Sequence, residues 1–213
     1  MKALIFILPS VLSAQILTFG VKGGLPLTST SNFEPTNGRI FEGTVYFDMK
    51  RYTFGPTVEV KLPLGFRVEV DGLYEHLRKD IRSGPYPQGV LGYSSTMSAA
   101  WEIPMLLKRR FGHGQFAPYA AAGASLRHIG DLNTNASSDP QYPGYSPSFT
   151  HFTSPSGEPV RTGITAAGGV SIKTRFLRIE PELRYTHWTS DHYLATTEQF
   201  DFLVGITFSP RER

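Results

Sequence analysis

The 213-residue chain contains no cysteine. That excludes a disulfide framework, a thiolate metal site and a lipoprotein anchor. Charge is scarce as well. Asp, Glu, Lys and Arg together make up 18 %, with a formal net charge of +3. So small and scattered an excess excludes the basic face of a nucleic-acid-binding protein. No stretch approaches the ~18 continuous apolar residues of a membrane-spanning helix. Ala, Glu, Lys and Leu do not dominate, which excludes a coiled coil. What the chain does have is glycine (21), proline (16) and aromatics (13 %). Low charge with many aromatics is the opposite of a disordered composition, and at ~150 residues per domain the length fits one domain.

Residues 1–14 read as a secretory leader. Lys2 is a short positive start, Ala3–Leu12 an apolar stretch broken by Pro9 and Ser10, and Ser13-Ala14 a small-residue end. Cleavage is expected before Gln15, leaving 15–213 as the mature domain.

The remaining chain alternates with period two. Apolar residues or glycine occupy every odd position from Leu17 to Leu25 and most even positions from Tyr52 to Leu62. Phe66, Val68, Val70, Gly72 and Tyr74 form a third such set, and Met97, Ala99, Trp101, Ile103 and Met105 a fourth. Phe116–Leu126 is Ala-rich and weaker, with Tyr119, Gly123, Ser125 and Arg127 on one face. Three more sets are anchored by Ile164 and Ile172, by Ile179 and Leu183, and by Val204 and Ile206. Eight strands of about ten residues are predicted. The apolar faces carry no charge. The opposite faces carry fourteen: Lys22, Lys61, Arg67, Arg127, Arg178 and Arg184, with Glu59, Glu69, Asp71, Glu75, Glu102, Glu180, Glu182 and Asp201.

The connections alternate in length. Thr28–Arg51, His76–Ser95 and Gly130–Pro159 are long, and Trp188–Glu198 is the last longer one. Pro63–Gly65 and Lys173–Arg175 are tight, and Lys108–Gln115 is moderate. Long loops on one side and short turns on the other mark a transmembrane β-barrel. Phe66, Phe116, Phe176 and Phe208 sit beside the short turns; Tyr52, Phe54, Tyr74, Tyr185 and Phe200 sit near the long loops. Two aromatic rings around an apolar band match interfacial girdles. The expected fold is all-β: an eight-stranded, antiparallel, up-and-down transmembrane barrel with its termini at the periplasmic end. Pro56, Pro104, Pro118 and Pro181 each forfeit a ladder donor and are expected at bulges or rims.

The runs PTVEVKLPLGFRVEVDGLYEHL, FAPYAAAGASLRHI, IEPELRYTHW and FDFLVGITF resemble the bacterial outer-membrane β-barrel domain family, the small eight-stranded barrels. The likeness covers most of residues 16–208. It implies residence in the bacterial outer membrane, lipid contact, and insertion by the barrel-assembly machinery, which reads an aromatic near the end of the last strand. Phe208 matches that position, although Ser209–Arg213 follow it.

Eight strands enclose an interior that side chains just fill, so fourteen lumen charges must pair. The expectation is a monomeric structural or surface-interaction barrel with a charged plug and no enzymatic activity, cofactor or metal. A narrow solute channel lined by Glu59, Lys61, Arg67 and Glu180 is the alternative, and a lipid-modifying membrane enzyme the second. His76, His113, His128, His151, His187 and His192 show no metal-ligand spacing. The run Thr186–His192 contains Ser, His and Asp but no defensible nucleophile arrangement. The loop Gly130–Pro159 is a surface-recognition candidate.

Overall fold

The computed structural model describes residues 17–28, 46–49, 52–83, 92–112, 114–138, 148–155, 160–189 and 197–208. The expected leader and its cleavage point lie outside them. The strands are β1 (Leu17–Pro26), β2 (Tyr46–Met49), β3 (Tyr52–Lys61), β4 (Phe66–Asp71), β5 (Leu73–Ser83) and β6 (Gly92–Arg110). They continue with β7 (Phe116–Ile129), β8 (Leu132–Ser138), β9 (Phe149–Ser154), β10 (Arg161–Lys173), β11 (Leu177–Trp188) and β12 (Glu198–Phe208). The barrel wall has eight staves: β1, β2 with β3, β4 with β5, β6, β7, β10, β11 and β12. All pairings are antiparallel, and β12 pairs with β1 to close the wall.

The register fixes the barrel's shape. From Leu17 the opposed residues run Val60, Val68, Leu107, Ala122, Ala166, Tyr185 and Phe200. The Leu27 N–H then donates to the Phe200 carbonyl at 2.6 Å, so the path returns to the first stave ten residues beyond its start. A stagger of ten over eight staves, with strands ~4.8 Å apart and ~3.3 Å per residue, gives a tilt near 40° and a backbone radius of roughly 8 Å. That interior has room for side chains only. Every residue on this path points outward and is apolar or aromatic. The path one residue on, Thr18, Glu59, Glu69, Leu106, Gly123, Thr165, Thr186 and Gln199, points inward.

The prolines behave differently from expectation. The ladder between β3 and the next stave keeps one register from Tyr46↔Arg82 to Lys61↔Arg67, and so does that stave's ladder with β6. There is no bulge. Instead the stave breaks into β4 and β5 at Gly72, which lies between Pro56 and the Pro104 region on its two neighbours. Gly72 donates to the Pro56 carbonyl at 2.9 Å, and Pro56 has no N–H to return. The approach is close: a Cβ on Gly55 would sit 1.9 Å from the Gly72 oxygen. Pro181 likewise interrupts the ladder between Gly169↔Glu182 and Ile172↔Ile179 without shifting it. Pro118 alone is at a rim, its carbonyl accepting from Phe111 N–H at 2.8 Å beside the turn. A one-residue bulge does occur between β7 and β8, where Ala100↔Ile129 becomes Met97↔Asn133.

Several expected loops are strand. β6 runs on through Lys108 to Arg110, and β5 and β6 pair out to Ser83↔Gly92. The Gly130–Pro159 segment holds β8 and β9, and Thr28–Arg51 holds β2. Together β2, β5, β6, β8 and β9 make a five-stranded sheet at the loop end. Pro63–Gly65 is a tight 3-10 turn with Leu64 and Gly65 at positive φ. No described helix is long and apolar enough to cross a membrane.

The aromatic rings stand outside the wall at both ends. Phe116, Phe176 and Phe208 are 61–71 % exposed at the turn end, and Arg109 and Arg175 lie over Phe66 and Phe176 at 5.2 and 5.3 Å. At the loop end Tyr52 stacks on His76 at 5.2 Å, and Phe54, Tyr74 and Trp101 follow one another at 5.5 and 5.6 Å. Tyr185 packs on Phe200 at 4.7 Å.

Candidate functional site: the charged lumen

Alternation delivers the charges inward, and the stagger decides which of them meet. At mid-height Lys108 Nζ donates to Glu59 at 2.9 Å, Glu69 at 2.8 Å and Glu180 at 2.7 Å. Its ammonium also lies 4.1 Å from the centre of the Tyr119 ring. Glu59, Glu69 and Glu180 converge closely enough to hold a metal ion. The Lys108 ammonium already reaches an oxygen of each, so the trio is an ammonium site. Next to it Lys22 Nζ contacts Glu69, Asp71 at 3.3 Å and Glu182 at 3.4 Å. Arg184 binds Asp71 and Glu182, both at 2.8 Å, and Tyr119 donates to Glu182 at 2.9 Å.

Toward the short turns the cations dominate. Glu59 Oε2 accepts from Arg178 at 2.8 Å, Arg67 at 3.1 Å and Arg110 at 3.3 Å, and Glu180 accepts from Arg110 at 2.6 Å. Lys61 and Lys173 are half-buried at this rim, opposed to Arg67 and Arg178 across their ladders.

Toward the loops Arg127 is the hub. Its Nη2 is 2.9 Å from Glu75 and 3.1 Å from Glu102, and it donates to Gln199. The Arg127 guanidinium stacks on Trp188 at 4.1 Å. Gln199 donates in turn to Asp201 at 2.8 Å. Hydroxyls fill the wall beside it: Ser125 to Thr165 at 2.6 Å and Thr165 to Thr186 at 3.1 Å. Above this layer Leu77, Ala100 and Ile129 pack together, fully buried, with Leu132 against them.

All fourteen charges read from the alternation lie on the inward face. Nine join the mid-height and turn-end network, and Glu75, Glu102, Arg127 and Asp201 form the separate loop-end layer. Lys61 sits at the rim. The structure adds Lys108 and Arg110, which the expected Lys108–Gln115 connection concealed, together with Tyr119, Trp188 and Gln199. Continuing the even-numbered inward series Glu102, Pro104 and Leu106 leads straight to Lys108 and Arg110. The histidines gather nowhere among the described residues. His76 stacks outside the wall, and His151 bonds Asn135 at 2.7 Å on the exposed β8–β9 hairpin. His113 and His192, with Ser190 and Asp191, lie outside the described residues.

No protein-family model matches the chain, and no characterised protein matches it in sequence. Solved structures do. The chain is similar to neisserial surface protein A at 15 % identity and a TM-score of 0.37, over 91 % of this chain and 94 % of that one. It is similar to Ail, the attachment invasion locus protein of Yersinia pestis, at 9 % identity and a TM-score of 0.36, over 91 % and 96 %. A third is the outer membrane protein OprG of Pseudomonas aeruginosa, at 12 % identity and a TM-score of 0.40, over 91 % of each chain. Identities and scores this low carry no function across.

Proposed function

We propose that the chain is a bacterial outer-membrane barrel of structural or surface-interaction type, with a sealed lumen and its loop-end sheet presented outside the cell. One observation carries this reading: the described interior is occupied by ion pairs and, above them, an apolar layer, while the wall continues far past the membrane band. The filling is the ion network and, above it, the Leu77, Ala100 and Ile129 layer. The nineteen residues of β6 run roughly 60 Å at ~3.3 Å each, or about 45 Å of height at a 40° tilt, against the ~25 Å of a barrel's apolar band.

The excess is the five-stranded sheet. Its outermost described strand, β9, is exposed along its length and carries Phe149 and Phe152 to solvent. Exposed aromatics on a projecting strand favour contact with another macromolecule over passage of a solute. The surrounding lipid is that of the outer membrane. The assembly machinery delivers the chain there as a monomer and reads Phe208, which ends β12 between Phe19 and Leu177.

Cell fractionation tests the placement. The mature chain, cut before Gln15, is expected in the outer-membrane fraction, with protease added to intact cells cutting at the loop end and sparing the staves. Recovery in the soluble periplasm overturns the reading.

A further inference from the structure

We infer that Asp201 binds a small cation that no side chain of the lumen supplies, a proton or a metal ion held in the loop-end layer. The site lies inside the wall and stands independently of what the exposed sheet contacts.

Charge balance in the lumen carries the inference. Every other carboxylate read on the inward face has a cation within 3.1 Å. Asp201 has none: it is 4 % exposed, and among the described residues no Lys, Arg or His pairs with it. Its side chain takes one hydrogen bond, from Gln199 Nε2 to Oδ2 at 2.8 Å, and Oδ1 receives none. An oxygen without a donor is not in itself distinctive. Asp71 Oδ1 is in the same position, but Asp71 Oδ2 holds Arg184 at 2.8 Å and Lys22 at 3.3 Å. What sets Asp201 apart is a buried carboxyl with no counterion at all, and an isolated ionised carboxylate is too costly to bury.

The cations of the neighbouring strands are committed elsewhere. Arg184 is opposed to Asp201 across the β11–β12 ladder, yet its guanidinium lies on Asp71 and Glu182, both at 2.8 Å. Lys22 of β1 is on Glu69, Asp71 and Glu182. Arg127 of β7 reaches Glu75 of β5 and Glu102 of β6. Gln199 stands between Arg127 and Asp201, accepting from the first and donating to the second. Arg161 of β10, opposed to Arg127, has contacts of its own and no ion pair with Asp201. From β3 the uncharged Thr53 lies opposite Glu75. After its burial, the charges that bear most on Asp201 are those of Glu102 and Glu75, both of its own sign, ahead of Arg127. That field draws a cation, and the burial of Asp201 limits the occupant to something smaller than an organic ammonium.

The test uses the full mature chain refolded in zwitterionic detergent. The readout is the temperature at which the compact, unboiled gel form converts to the unfolded one. D201N keeps the shape of the side chain and removes its need for a cation, so it is expected to convert at or above the wild-type temperature. E102Q, which takes a counterion from Arg127, is expected to convert below it. D201S, also neutral, serves if D201N does not refold. Two arms identify the occupant. For a proton, the infrared spectrum taken about two pH units above the ordinary aspartate value of about 3.9 shows the carbonyl stretch of a protonated carboxyl group, which D201N lacks. The folded barrel then holds one proton more than the unfolded chain, so the wild-type temperature falls relative to D201N as the pH is raised. For a metal ion, Na⁺ or Mg²⁺ titrated at constant ionic strength against choline raises the wild-type temperature saturably and leaves D201N unchanged. If neither response is present in the wild-type protein and lost in D201N, or if D201N is as destabilising as E102Q, Asp201 has its counterion within the lumen and the site is overturned.

Discussion

Lys108 shows how much one lumen residue carries. Three buried carboxylates converge on its ammonium, each within 2.9 Å. Removing the charge leaves Glu59, Glu69 and Glu180 facing one another in a dry interior. Losing one partner of a buried pair costs ~3–5 kcal/mol, because the remaining charge is uncompensated. K108M is expected to fall in that range by urea unfolding of the refolded barrel, and E182A in the range as well, since Lys22 and Arg184 both depend on Glu182. E182A then has less to lose than K108M, because Asp71 still holds Arg184 and Lys22. If K108M is as stable as wild type, the trio is not held by charge and the packing around Tyr119 carries the site. Gly55 makes a separate residue-scale case. Its missing Cβ lets β3 approach the Gly72 oxygen, so G55V is expected to destabilise the barrel although no charge is touched.

At the scale of the strand, one face meets lipid and the other meets charge, and a substitution's cost depends on which face it lands on. Val60 on β3 and Ile179 on β11 point outward. V60R or I179R is expected to cost ~2–4 kcal/mol near the midplane of the bilayer. T153R, on exposed β9, is expected to cost less than ~0.5 kcal/mol. Equal tolerance at the three sites, measured by unfolding from lipid vesicles, would show that the outward face is not the lipid face. This two-faced pattern is why the eight staves were legible in the sequence. It fails where both faces meet water or charge. Lys108, Arg109 and Arg110 put cations on both sides of β6, so the end of that strand read as a connection. Arg78–Ile81 and Gly92–Ser94 stand beyond the apolar band, where both faces are polar or only half-buried and nothing enforces alternation, and they read as loop for the same reason. The prolines were legible as lost donors. Their consequence was not, because whether a wall bulges or merely skips a hydrogen bond depends on the neighbouring staves. At Gly72 the two flanking prolines share a single gap.

At the scale of the whole molecule the stagger of ten residues does what no local pattern reveals. It brings Lys108 of β6 to Glu180 of β11, and Arg127 of β7 to Gln199 of β12, each pair three staves apart. Inward residues were identifiable one by one, but their partners depend on closure. Closure also decides whether the barrel conducts. A backbone radius of roughly 8 Å leaves no free bore once side chains are in place. The described interior is stacked in four layers: the cation-rich mouth, the Lys108 and Lys22 pairs, the Arg127 hub, and the apolar Leu77, Ala100 and Ile129 layer. A solute crossing it must part ion pairs whose members have no water to turn to, then pass a dry apolar constriction. The purified protein in a planar bilayer is therefore expected to show no steady current. Removing only the apolar layer, as in L77G/I129G, is expected to leave it closed, because the Arg127 layer beneath still seals the bore. Opening is expected only when that layer is also removed, with R127A/E102A added. Discrete, salt-dependent steps from the wild-type protein would mean that the network rearranges to admit ions. The channel lined by Glu59, Lys61, Arg67 and Glu180 would then be the correct reading of the lumen.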